Sequence, residues 1–217
     1  TNDHNIFAIG ECALHNGMIY GLVAPGYEMA DVVVNVLIAN YKTFNGYDMS
    51  TKLKLIGVDV ASFGDPFSDP ENCHSIVFED KYKGTYKRIN ITTDGQFLLG
   101  GILIGDAAAY NMLLQTTKNK LALPANPEDL LLGASRGSAD TGAGVTALPD
   151  EAMICSCESV SKGAICQAVT NGYETLEEVK KCTKAGTCCG GCLPMVKDLI
   201  TATMKEQGKY IRNVVCE

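Results

Sequence analysis

The sequence predicts an α+β protein: a small, mostly antiparallel sheet with helices, followed by a small all-helical domain. Three observations carry that expectation. Apolar residues alternate or run in short blocks over 51–60, 75–79, 82–92 and 96–104, as strands require. Residues 133–150 hold almost nothing both large and apolar, and beyond them apolar positions recur at helical spacing. With 217 residues, 46% hydrophobic and 20% charged, the chain can bury a core without disulfide staples.

The elements follow in order. Asn5 to Gly10 reads as a short buried strand with no partner strand before it, and the chain lacks an initiator Met; both suggest a piece of a longer protein. Tyr27 to Tyr41 places Met29, Val32, Val33, Val36 and Leu37 on one helical face. The strand segments then form a sheet of about four strands, with Asp94-Gly95 as a hairpin turn. Ala107 to Thr117 reads as a helix, and Asn126-Pro127 opens a short one with Asn126 at the cap. Gly, Ala, Ser and Asp dominate 133–150, which is linker composition. Beyond it, Ser161 caps a helix to about Thr170, and Thr175 with Glu178 forms a capping box for a second that ends by Gly186. A third runs from near Gly190 to Gln207 with Leu193, Val196, Leu199, Ile200 and Thr203 inward. The expected domains are 1–50, 51–132, a flexible linker at 133–150, and 151–217.

Net charge is −7, and all of the excess lies in 1–150, because 151–217 holds eight basic and eight acidic residues. No basic patch points to nucleic acid. No apolar run reaches the length of a membrane span, since Asp106 breaks the stretch from Phe97 to Leu114. The start shows no secretory signal, so ten cysteines read as metal binding in a reducing cytoplasm rather than as disulfides.

Four of those cysteines are paired: Cys155 and Cys157 as Cys-Ser-Cys, Cys189 and Cys192 as Cys-Gly-Gly-Cys, with thirty-one residues between Cys157 and Cys189. Thiolates select zinc, copper(I) or iron–sulfur clusters. Both pairs fall next to helix starts, where free N–H groups and the helix dipole favour anionic sulfur. Gly190 and Gly191 let backbone donors approach a large inorganic centre, which suits a [2Fe–2S] cluster better than a single zinc. Structural zinc, or a thiol redox pair at Cys189 and Cys192, are the alternatives. Cys166 and Cys182 read as packing residues of the small core, and Cys188 as a bystander or substitute ligand. Cys12, Cys73 and Cys216 are scattered. His4, His15 and His74 have no partner spacing beyond a weak hint where His74 adjoins Cys73. Lys180, Lys181 and Lys184 read as a solvated helix face or, alternatively, as a docking patch for an acidic partner.

Residues 154–200 resemble the bacterioferritin-associated-ferredoxin type of [2Fe–2S] domain. Ile154 to Cys157 and Lys184 to Pro194 are especially similar to the form found in assimilatory NAD(P)H nitrite reductase large subunits and nitrate reductase electron-transfer subunits. Cys188 departs from that pattern and leaves open which of two adjacent sulfurs is the ligand. Thr1 to Ala13 resembles the last flavin-contacting strand of pyridine-nucleotide-disulfide-oxidoreductase-like FAD domains, and 51–118 the α/β domain that follows it. The resemblance implies a C-terminal remnant of an FAD domain at 1–50, with Glu11 toward the flavin's ribityl chain.

It further implies that the parent takes hydride from NAD(P)H onto FAD. Single electrons would then pass through the [2Fe–2S] centre to a siroheme- or molybdenum-containing acceptor domain or subunit. No Gly-x-Gly-x-x-Gly and no siroheme cysteine motif are present, so this stretch alone should neither oxidise NAD(P)H nor reduce nitrite. The linker would let the cluster domain swing between flavin and acceptor. A non-enzymatic metal- or cluster-binding module, or a zinc-stabilised interaction module, is the competing reading.

Overall fold

The computed structural model describes residues 1–132, 144–155, 158–188 and 190–208. Two compact units emerge, Thr1–Ser50 and Thr51–Glu217.

In the first unit a 3-10 turn at Gly10–Cys12 precedes a tight hairpin of β1 (Leu14–His15) and β2 (Met18–Ile19), then helix α1 (Val23–Leu37). Asn16 and Gly17 both adopt positive φ, the geometry of a two-residue type I′ turn. The strand expected at 5–10 does not form. A strand needs a neighbouring backbone to satisfy its ladder; here Ile6, Phe7 and Ile9 are exposed, and Gly10 turns the chain at φ +75°. Helix α1 begins and ends four residues before its expected limits. Pro25 sits in its first turn, where the missing N–H is no loss. The side chain of Met29 is buried and accepts a hydrogen bond from the Gly10 N–H at 3.1 Å.

The second unit opens with five antiparallel strands: β3 (Thr51–Leu55), β4 (Val58–Gly64), β5 (Cys73–Asp80), β6 (Thr85–Thr92) and β7 (Leu98–Ile104), in the order β3-β4-β7-β6-β5. The expected single strand over 51–60 is in fact a hairpin. Ile56 and Gly57 both take positive φ. An Ile there is sterically strained and carries no turn signature, which is why alternation alone overlooked it. Phe63 faces Gly101 across the β4–β7 pair, and a Cβ at Gly101 would meet its ring and the Arg88 carbonyl. Helix α2 (Tyr110–Lys118) covers β4 and β7, burying Tyr110 and Leu113 over Phe63, Ile89 and Leu103. A single turn, α3 (Asp129–Leu132), adds Leu131, whose carbonyl accepts from Lys87 Nζ while the same ammonium pairs with Asp106 at 2.6 Å.

The same unit continues with a two-stranded antiparallel ribbon, β8 (Met153–Cys155) and β9 (Val160–Ser161), and three helices: α4 (Lys162–Thr170), α5 (Leu176–Thr183) and α6 (Leu193–Glu206). The ribbon is an addition to the all-helical domain that the periodicity suggested. The expected linker falls outside the described residues over 133–143. Its last part packs: Val145–Ala147 forms a 3-10 turn, and Val145 and Leu148 join the core of α4 and α6. No helix among the described residues is long and apolar enough to cross a membrane.

Local signals in this part act as the sequence indicates. Ser161 accepts a hydrogen bond from the Ala164 N–H and caps α4. At α5 the capping box is complete: Thr175 Oγ1 accepts from the Glu178 N–H, and Glu178 Oε2 accepts from the Thr175 N–H at 3.0 Å and from its hydroxyl at 2.8 Å. The Thr175 hydroxyl first, then the backbone N–H groups of Thr175 and Glu174, hold the Glu178 carboxyl below its ordinary value of 4.5. A carboxyl whose pKa is lowered on folding stabilises the fold above its ordinary pKa, and loses that contribution as pH falls through the folded value. Thr175→Ala, which removes the N-cap of α5, should lower stability by about 1 kcal/mol near neutral pH. The gap from the parent should narrow as pH drops below 4.5, which thermal unfolding across pH would show.

Candidate metal centre

Cys155 and Cys192, one from each pair, are brought in by different elements. Ribbon β8–β9 carries Cys155 at the end of β8, opposite Val160 in the register. Helix α6 carries Cys192 at its N-cap, with Pro194 in the first turn and the Val196 N–H bonded to the Cys192 carbonyl at 3.0 Å. Both side chains are buried, at 2% and 8% exposure. They belong to one apolar cluster with Ile154, Ile165, Val179, Val196 and Leu199. Cys157 and Cys189 lie outside the described residues.

The loop between α5 and α6 closes tightly on the start of α6. Lys184 closes α5 in the left-handed region, and its carbonyl accepts from the Thr187 N–H and hydroxyl. Ala185 is fully buried. Gly186 has φ +77°, and a Cβ there would run into Leu193 and lie 3.7 Å from Cys192 Sγ. Only glycine lets the loop fold against the start of α6 this tightly. Cys155 and Cys192 thus share one buried core beside the start of α6, against a glycine with no room for a side chain. That arrangement fits a thiolate-ligated metal centre.

The remaining cysteines divide. Cys166 is half-buried against the same core and accepts from the Thr203 hydroxyl at 3.4 Å, a packing role. Cys182 does not face the core: it is exposed. On α5 the inward position is Val179, and Cys182 lies three residues on, toward the side that Lys181 also leaves to solvent. Cys188 is exposed. Cys73 is buried in β5 while His74 is exposed, because neighbours in a strand point to opposite faces, so the two do not converge on a metal. Among the described residues, which include two of the four paired cysteines, no group of three metal-ligating side chains occurs. Lys180 pairs with Glu177 at 3.1 Å, whereas Lys181 and Lys184 are exposed.

Glu11 lies in the 3-10 turn of the first unit, exposed, with Oε1 packed toward Gly21. The motif reading missed Asn111 and Gln115 of α2, which reach the two cysteine loops from outside them: Asn111 donates to the Gly191 carbonyl and Gln115 to the Met153 carbonyl. No motif spacing marks such residues.

Fold and site together define a small, mainly helical domain with buried cysteines attached to an α+β domain built on an antiparallel sheet. Residues 153–202 match the family described as BFD-like [2Fe-2S] binding domain, and residues 50–121 the rubredoxin NAD+ reductase C-terminal domain. The whole chain is 49% identical to the nitrite reductase [NAD(P)H] large subunit of Klebsiella oxytoca, covering 23% of that protein. It is 38% identical to the nitrite reductase [NAD(P)H] of Emericella nidulans, with 100% of this chain aligned to 22% of that one. Over 92% of its length it is 37% identical to the assimilatory nitrate reductase electron transfer subunit of Bacillus subtilis, covering 25% of that subunit. The resemblance to NAD(P)H nitrite reductase large subunits and nitrate reductase electron-transfer subunits is thus borne out, and the chain spans about a quarter of these curated relatives.

Cys155→Ser and Cys192→Ser should each abolish the visible absorption of the purified chain, whereas Cys182→Ser should leave it intact. Absorption spectra of anaerobically prepared variants, with iron content per chain, measure this directly.

Proposed function

We propose that this chain is the electron-transfer segment of a flavin-dependent NAD(P)H nitrite or nitrate reductase, passing single electrons from FAD in its parent toward a terminal acceptor. One observation carries the reading. Each cysteine pair contributes a buried sulfur to one core beside α6, in a chain similar along its whole length to nitrite reductase large subunits. A bound [2Fe–2S] centre supplies one-electron redox chemistry, which matches a flavin that receives electrons in pairs.

The chain's residues prepare that chemistry. Cys155, Cys157, Cys189 and Cys192 would hold the cluster, with Cys188 as the adjacent alternative. The N-terminal end of α6 favours negative charge at Cys192. Burial of Cys155 and Cys192 keeps water from the sulfurs and strengthens nearby hydrogen bonds. Glu11 would face the ribityl chain of FAD once the upstream flavin- and NAD(P)H-binding region of the same polypeptide is present. The acceptor is a siroheme- or molybdenum-containing domain or subunit, and the setting is cytoplasmic.

The alternative, a metal-binding or zinc-stabilised interaction module, would use the same buried cysteines as ligands of a structural metal. Spectra before and after dithionite separate the two. Visible bands that bleach on reduction support electron transfer; a colourless chain with one zinc supports the module.

In the full-length parent, Cys155→Ser should leave NAD(P)H-driven flavin reduction at the parent rate and reduce acceptor turnover to background. Stopped-flow absorbance and steady-state turnover read the two steps separately. Equal loss of both would overturn the proposal.

A further inference from the structure

Helix α2 belongs to the sheet domain, yet one arc of it faces the cysteine loops. Positions 111, 112 and 115 fall within about 100° of one another around a helix. Asn111 Nδ2 donates to the Gly191 carbonyl at 2.6 Å, and Gln115 Nε2 to the Met153 carbonyl at 2.7 Å. Met112 between them, and Leu121 just beyond the helix, pack on the apolar cluster that contains Cys155 and Cys192. The opposite face of α2, through Tyr110 and Leu113, is locked into the core of the sheet.

We propose that Asn111 and Gln115 are positioning residues that clamp both cysteine loops to α2, fixing the cluster domain against the sheet domain; this rests on the reading of those loops as the metal centre. Each contact lies shortly before a cysteine. Gly191 immediately precedes Cys192, and Met153 stands two residues before Cys155. A peptide unit is planar and trans, so holding the Gly191 carbonyl toward Asn111 also fixes the direction of the Cys192 N–H. Holding the Met153 carbonyl likewise fixes the strand end that delivers Cys155.

Gln115 is itself held. It is 5% exposed, and Asn119 Nδ2 donates to its Oε1 at 3.0 Å, which leaves its amide N–H as the donor to Met153. The side chains and the loops they grip are separated by 80 and 38 residues, so the clamp is a tertiary device rather than a local turn. Its consequence is a docked cluster domain, in place of one that swings freely on residues 133–150. Metal-ligating loops are commonly oriented by such outer contacts, whose loss weakens metal retention.

Backbone amide exchange in the full chain as purified tests the clamp whichever metal it carries. Asn111→Ala should speed exchange at residues 190–193 about three- to tenfold and leave 153–155 unchanged, the effect of one hydrogen bond. Gln115→Leu should do the reverse, and Asn111→Gln, which keeps a donor, should restore protection. In the iron-loaded chain both substitutions should hasten bleaching by a chelator. Should the buried Gln115→Leu variant fail to fold, the half-buried Asn111 pair decides the question. Unchanged exchange at 190–193, or a uniform rise across α4, α5 and α6, overturns the clamp. A colourless chain with the local exchange pattern intact overturns the cluster reading alone.

Discussion

Two cysteine sulfurs buried in an apolar core set the terms for everything around them. Metal-binding sulfur is anionic, and an anion removed from water is costly unless a cation or donors compensate it. Cys155 and Cys192 sit among Ile154, Ile165, Val179, Val196 and Leu199, a setting that offers packing but little solvation. The surrounding features answer that demand. Helix α6 starts at Cys192, the αL residue Lys184 turns the chain back, and Gly186 gives up its side chain so that the loop closes on Leu193. A metal centre would complete the compensation and add to the packing that already joins the three helices.

That site is built jointly with the preceding domain. Helix α2 buries one face in the sheet core and turns Met112, with the amides of Asn111 and Gln115, to the cysteine loops. Helix α2 and Leu121 beyond it thus link the sheet to the core that holds Cys155 and Cys192. The sheet side is tightly specified too: Phe63 fills the space over Gly101, and Lys87 ties α3 and Asp106 to β6. An electron-transfer site gains from such a frame, because its environment stays fixed while charge changes.

Much of this was legible in the residues, for identifiable reasons. The Ser161 cap and the Thr175–Glu178 capping box are local codes, satisfied within one turn, so helices α4 and α5 could be placed closely. The paired cysteines announce soft-metal chemistry by spacing alone. What could not be read depends on long-range partners or on strain. The hairpin at Ile56-Gly57 uses a β-branched residue where turns favour Asn or Gly. The run from Asn5 to Gly10 is strand-like in composition but gains no ladder within its unit. Cys182 was assigned inward from helical spacing that Val179 in fact satisfies. Asn111 and Gln115 lie outside any motif, and only tertiary packing gives them work.

The central claim is a one-electron centre held by the two cysteine loops. Electron paramagnetic resonance of the dithionite-reduced full chain at low temperature tests it most directly. A reduced [2Fe–2S] centre predicts a signal that integrates to about one spin per chain and is lost in Cys192→Ser. A silent spectrum from a chain that carries one zinc would contradict the account.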